Sequence, residues 1–190
     1  MKVGLFFGSF NPIHIGHLII ANTMATTADL DQVWFVVSPQ NPFKKTKSLL
    51  HEFDRLDMVE RAIADNSCLK ATNIEFSMPK PSYTIDTLAR LSEKYPQHEF
   101  RLIIGEDNLE QFANWKNHDK ILEFYGLTVY PRPRAAESPF KAHANVRVVE
   151  APLLDISATF IRDCIRKNRS IRYMVPEVVE EMITRKKFYV

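Results

Sequence analysis

Glycine and cysteine are both scarce in this chain, whose 190 residues carry 5 Gly and 2 Cys. Cys68 and Cys164 form no C-x-x-C pair and no staple pattern, so a disulfide scaffold is excluded and a reducing compartment, the cytoplasm, is expected. Long apolar runs are missing too. The longest, Val3–Phe7 and Val33–Val37, are strand-sized, far below the roughly 18 residues of a membrane helix. Gly8, Ser9 and Asn11 follow the first run at once, which is not a signal-peptide pattern. Charge of one sign is also lacking, with 25 Lys plus Arg against 23 Asp plus Glu, a net of +2. That balance argues against nucleic acid or an anionic membrane as the main partner. Any bound anion must then be held by locally placed cations.

What is present is an alternation of strand-like and helix-like segments, with no repeat and no low-complexity tract. Strands are predicted at Val3–Phe7, Val33–Val37, within Leu69–Phe76, and at Phe100–Ile104, Leu127–Tyr130 and Val146–Val149. Helices are predicted at Ile15–Ala28, Glu52–Asp65, Thr84–Tyr95, Ala158–Lys167 and Pro176–Lys186, with Pro176 in the first turn of the last. In the second helix Phe53, Leu56, Val59 and Ile63 make the apolar face. Strands without polar alternation, separated by helices, require a parallel sheet covered on both faces. The expected architecture is a doubly wound, Rossmann-like α/β fold in a single domain spanning residues 1–190, a size that suits one domain at roughly 150 residues each. Ligands of such folds sit beyond the carboxyl ends of the strands. Two cation-rich loops, Ser38–Lys47 and Pro131–His143, are expected to settle only when a ligand binds.

Where Gly is rare, its position is informative. Gly8 and Gly16 frame the segment Gly8-Ser9-Phe10-Asn11-Pro12-Ile13-His14-Ile15-Gly16-His17, directly after the first buried strand. Gly8 allows a tight turn and close backbone approach, and Gly16 allows close contact at a helix start. His14 and His17 are spaced to share one face of the first helical turn, beside amides at a positive helix end that suit a phosphate. The same pair could be half of a metal site, but no Cys or carboxylate adjoins it as a third ligand. Near the other terminus, Ser157 reads as a helix N-cap, with Thr159 offering a hydroxyl and Arg162 a guanidinium about one turn on. By itself Ser157 could do no more than cap its helix.

The first segment resembles the G-x-F-[DN]-P-x-H-x-G-H signature of the nucleotidyltransferase superfamily, whose H-x-G-H element also occurs in class I aminoacyl-tRNA synthetases. Further motifs follow in order: Ser38-Pro39 with Lys44 and Lys45, Pro81 to Leu88 (PSYTIDTL), Gly105-Glu106-Asp107 with Trp115, Arg132-Pro133, and Ile156 to Arg162 (ISATFIR). Together they are similar to the bacterial nicotinate-nucleotide adenylyltransferases over nearly the whole chain. The resemblance implies that Gly8, Ser9, Phe10, His14, Gly16, His17, Asp107, Ile156, Ser157, Thr159 and Arg162 bind ATP. It implies that Lys44, Ser82, Tyr83, Thr84, Trp115, Lys116 and Arg132 receive the mononucleotide, Trp115 by stacking on the pyridine ring. The catalytic residues implied are His14, His17, Lys44 and Arg162.

The implied reaction is attack of a mononucleotide phosphate on the α-phosphorus of ATP, with Mg²⁺ held mainly by substrate phosphates and water. An already anionic nucleophile needs no general base, and no Ser/His/Asp set or carboxylate dyad is evident. The expected partners are ATP and nicotinate mononucleotide; a homo-oligomer stays open. The alternatives are an adenylyltransferase acting on nicotinamide mononucleotide or pantetheine phosphate, and a nucleotide sensor without chemistry.

Overall fold

The computed structural model describes residues 1–39 and 49–190; Lys44 and Lys45 therefore lie outside the described residues. Six parallel strands form one sheet: β1 (Lys2–Gly8), β2 (Gln32–Val37), β3 (Leu69–Thr72), β4 (Glu99–Gly105), β5 (Leu127–Tyr130) and β6 (Val146–Val148). Their order is β3-β2-β1-β4-β5-β6. From β1 the chain winds outward to β3, then returns across β1 to β4 and winds the other way. The reversal falls between β1 and β4, which pair from Lys2 with Glu99 to Phe6 with Ile103. By the rule for this topology the ligand crevice lies there, beyond Gly8 and Gly105.

The helices are α1 (Ile15–Thr27), α2 (Glu52–Ala62), α3 (Thr84–Lys94), α4 (Glu106–Glu110), α5 (His118–Phe124), α6 (Ala158–Arg166) and α7 (Glu177–Lys186). Alternate strand residues feed two cores. Phe6, Val33, Phe35 and Val37 pack with α1, α2, α6 and α7 on one face, while Val3, Leu5, Trp34, Val36 and Leu102 pack with α3, α4 and α5 on the other. Covering both faces explains why β2 has no polar position from Val33 to Val37, all buried. Each such large side chain stabilises by roughly 1.5–3 kcal/mol relative to exposure.

Three expectations need correction. Pro176 is the N-cap of α7 rather than a residue of its first turn, so its fixed φ sets the entry to the helix instead of lying within it. On α2, Phe53 is 58% exposed while Arg55 is fully buried. The loop Pro131–His143 is already tied down, because Lys141 pairs with Glu106 at 2.8 Å and the Ser138 hydroxyl donates to the Leu109 carbonyl at 3.3 Å. No described helix is long and apolar enough to cross a membrane.

Candidate active site

The turn after β1 is held by its own side chains. Phe10 takes a left-handed conformation, φ 45°, which is strained for a bulky residue. Its ring folds back over Gly8, where an added Cβ would lie 2.7 Å from it, and is buried against Phe6 and Phe35. Phe10 therefore shapes the turn from the core, and only its backbone is available to a ligand. Asn11, buried beside it, accepts hydrogen bonds on Oδ1 from the Tyr189 hydroxyl at 2.9 Å and the Leu50 amide at 3.3 Å.

His14 caps α1, and its backbone N–H donates to Nδ1 of His17 at 3.3 Å. An accepting Nδ1 carries no proton, so a neutral His17 ring bears its proton on Nε2 and is a donor there. The two imidazoles stack, with centroids 3.6 Å apart and planes 21° apart. Burial, reinforced by the Arg132 charge, lowers the His14 pKa to about 4. His14 is thus neutral at pH 7, which suits a ring stacked face to face on a second imidazole. Its Nδ1 is buried without a hydrogen-bond partner among the described residues. Gly16 is required by the same packing, since a Cβ there would meet Ile156 at 2.5 Å and the His14 ring at 3.1 Å.

The C-terminal motif reaches this turn through Arg162. Its guanidinium is buried and donates from Nη1 to the Asn11 carbonyl at 2.7 Å and from Nη2 to Thr159 Oγ1 at 3.2 Å. Nε is buried and has no hydrogen-bond partner among the described residues. Ser157 does cap α6, accepting from the Phe160 amide at 3.2 Å. On the opposite side of the crevice, Gly105 caps α4, Asp107 lies 3.6 Å from Arg132, and the Arg132 amide donates to Glu106 at 3.2 Å.

The remaining expected residues gather on the other side of the sheet. Tyr83 caps α3 just before Thr84, Ser82 is buried behind it, and Lys116 lies 4.9 Å over the Tyr83 ring while pairing with Asp86 at 2.8 Å. Trp115 leans on Phe112, with ring centroids 5.6 Å apart. Lys116 thereby brings the Trp115 turn to the Tyr83–Thr84 segment.

Set beside known proteins, the chain matches the cytidylyltransferase-like family over residues 5–164. It is 66% identical over 189 residues to a Cytophaga hutchinsonii protein named a probable nicotinate-nucleotide adenylyltransferase, covering 100% of this chain and 98% of that one. The chain belongs to the nicotinate-nucleotide adenylyltransferases of the cytidylyltransferase-like family. A Flavobacterium johnsoniae protein of the same name is 50% identical over 193 residues, covering 100% and 99% of the two chains. The nicotinic acid mononucleotide adenylyltransferase of Plasmodium falciparum, solved in complex with NaAD, shares the fold with a TM-score of 0.83 at 18% identity, over 99% of this chain and 97% of that one.

Two residues of this region carry no motif that sequence reasoning used. Arg55, fully buried, donates to backbone carbonyls of the β1 and β2 loops, and Glu75, 2% exposed, accepts from Thr87 at 2.7 Å. The one available signal was an arginine beside the apolar stripe of an amphipathic helix, and it reads equally well as a solvated charge.

Proposed function

We propose that this chain transfers the adenylyl group of ATP to the 5′-phosphate of nicotinate mononucleotide, giving nicotinate adenine dinucleotide and pyrophosphate, a step of NAD biosynthesis. The observation that carries the reading is the His14–His17 stack at the switch point, joined through Asn11 to Arg162. A phosphate oxygen of the mononucleotide attacks the α-phosphorus, the bond from that phosphorus to the bridging oxygen breaks, and pyrophosphate leaves with the electron pair. No proton need be removed from the nucleophile. Catalysis then rests on in-line positioning and on donors aimed at the charge that develops. The His17 Nε2–H faces the transferring phosphate in this scheme, neutral His14 supports it, and the Arg162 guanidinium supplies positive charge to the triphosphate. Lys44 is assigned the entering phosphate on the strength of its motif alone.

Among the described residues no three His, Cys, Asp or Glu side chains converge on a point. Mg²⁺ would be held mainly by the ATP phosphates and water, neutralising phosphate charge, and no step is routed through it. Trp115 offers a face to the pyridine, and the amides around Tyr83 and Thr84 suit its carboxylate. Work in a reducing compartment, the cytoplasm, is supported by the two unpaired cysteines, Cys68 and Cys164.

Pyrophosphate release from ATP should be strong with nicotinate mononucleotide and weak with nicotinamide mononucleotide. Equal rates would remove the carboxylate pocket, and no release with either would remove the reaction. In the same assay His17→Ala should lower kcat by about 100- to 1000-fold, the usual cost of removing one transition-state donor, with little change in KM for ATP.

A further inference from the structure

The bulkiest of the fully buried side chains is charged, and what it grips is backbone. Arg55 on α2 forms no ion pair among the described residues. Its guanidinium donates from Nη1 to the carbonyls of Ser9 at 2.6 Å and Ser38 at 2.7 Å, from Nη2 to that of Pro39 at 3.0 Å, and from Nε to that of Leu50 at 2.9 Å. These carbonyls come from the turn after β1, the residues just past β2 and the approach to α2. Carbonyl oxygens repel one another, so their convergence needs several N–H donors held in one plane. A guanidinium supplies five in a fixed fork, whereas a lysine offers three on a single nitrogen.

A buried arginine without a counter-charge is a costly way to fill space, since apolar side chains of similar volume are often neutral or stabilising in place of buried charge. Its partners are more telling than its cost. The Ser9 carbonyl has neighbours that are tied from outside the turn in the same way: the Ser38 amide donates to the Gly8 carbonyl at 2.9 Å, and Arg162 donates to the Asn11 carbonyl at 2.7 Å. The Gly8–Ser9 and Ser9–Phe10 peptides are trans, so each N–H points away from the carbonyl that shares its plane. With the carbonyls of Gly8 and Ser9 drawn towards Ser38 and Arg55, the amides of Ser9 and Phe10 are directed away from them. Neither amide donates a hydrogen bond to another described residue. We propose that Arg55 is a positioning residue for the nucleotide: by drawing back the Ser9 carbonyl, and fixing the Ser38–Pro39 step on which the turn rests, it presents the Ser9 and Phe10 amides to a phosphate of ATP. Arg55 itself stays out of contact with the ligand. The assignment of this turn to ATP rests on the adenylyl-transfer reading above.

The test uses the full chain with Arg55→Met, which keeps the stem and removes every donor, and Arg55→Lys, which keeps the charge and loses the fork. Arg55→Met should weaken ATP binding by roughly tenfold, read both by titration without the second substrate and as KM, while KM for nicotinate mononucleotide changes by less than about twofold. Arg55→Lys should fall between Arg55→Met and the wild type. In amide exchange followed by NMR, ATP should slow the Ser9 and Phe10 amides of the wild type and fail to protect them in Arg55→Met. A lower melting temperature with unchanged ATP affinity, equal losses for both substrates, or amides as well protected by ATP in the variants as in the wild type would each overturn the proposal. So would a wild type whose Ser9 and Phe10 amides ATP does not slow. If Arg55→Met does not fold, Arg55→Lys decides by the same readings; failure of both to fold would also overturn the proposal, since Arg55 would then serve the fold as a whole. A wild-type chain that binds ATP but makes no dinucleotide would defeat the reaction reading alone, because the titration and the exchange pattern need no turnover.

Discussion

A single side chain shows how burial is turned into chemistry. His14 is an imidazole that has lost its water and faces the field of Arg132, so its folded pKa lies near 4 against 6.5 for the free group. The folded state therefore binds fewer protons than the unfolded one between those values, and stability falls as pH drops through that window. The slope for one fully shifted group is about 1.4 kcal/mol per pH unit. Above pH 6.5 the residue is neutral in both states and contributes no slope. Comparing the wild type with His14→Asn by thermal melting from pH 7 to pH 4 should show the wild type losing stability faster below pH 6.5. Parallel curves would mean that His14 is charged or solvated in the folded protein. The opposite sign belongs to Glu75, whose carboxyl is pushed up by burial. Relative to Glu75→Gln, the wild type should lose stability as pH rises above about 4.5, the ordinary value for a glutamate.

At the scale of elements, α1 and α6 meet at one missing Cβ. Alanine is the better helix former by about 1 kcal/mol, so propensity alone says that Gly16→Ala should stabilise α1. The structure says otherwise, because Ile156 and the His14 ring occupy that space, and Ile156 directly precedes the cap of α6. The variant should fold, with a melting temperature near that of the wild type. Its kcat/KM for ATP should nevertheless fall by roughly 100-fold, as expected when reacting groups are displaced by about 1 Å. A rise in melting temperature with unchanged activity would refute the contact. Gly16 was legible in the sequence because glycine is rare and this one sits between the two histidines of the motif. The strands were legible for a different reason: buried on both faces, they are continuous apolar runs. α5 was not, since it is a seven-residue helix entered from Asn117 in a left-handed conformation. Arg55 was invisible because its partners are carbonyls from segments distant in sequence, and a carbonyl leaves no trace in residue type. On the same helix Phe53 took the apolar position while Arg55 took the buried one.

The whole molecule closes on its first loop from its far end. Topology brings Gly8 and Gly105 together at the switch point, but topology alone does not order the turn between β1 and α1. The last residues do part of that work: the Tyr189 hydroxyl donates to Asn11 Oδ1 at 2.9 Å, and the Ile15 amide donates to the Met174 carbonyl at 2.9 Å. Asn11 is in turn the residue whose carbonyl receives Arg162. The final stretch, Phe188 and Tyr189, packs against the same core that holds α1, so the nucleotide turn is pinned between the chain's start and its end. Tyr189→Phe keeps the ring and removes only the donor. Losing a buried hydrogen bond of this kind costs about 1 kcal/mol, a shift in melting temperature of a few degrees for a domain of this size. KM for ATP should rise more than KM for the mononucleotide, because the turn touched is the nucleotide turn and the Tyr83 segment is braced elsewhere. Steady-state kinetics with each substrate varied separately reads the split. Equal rises in both KM values would mean instead that the C-terminal tail supports the crevice as a whole.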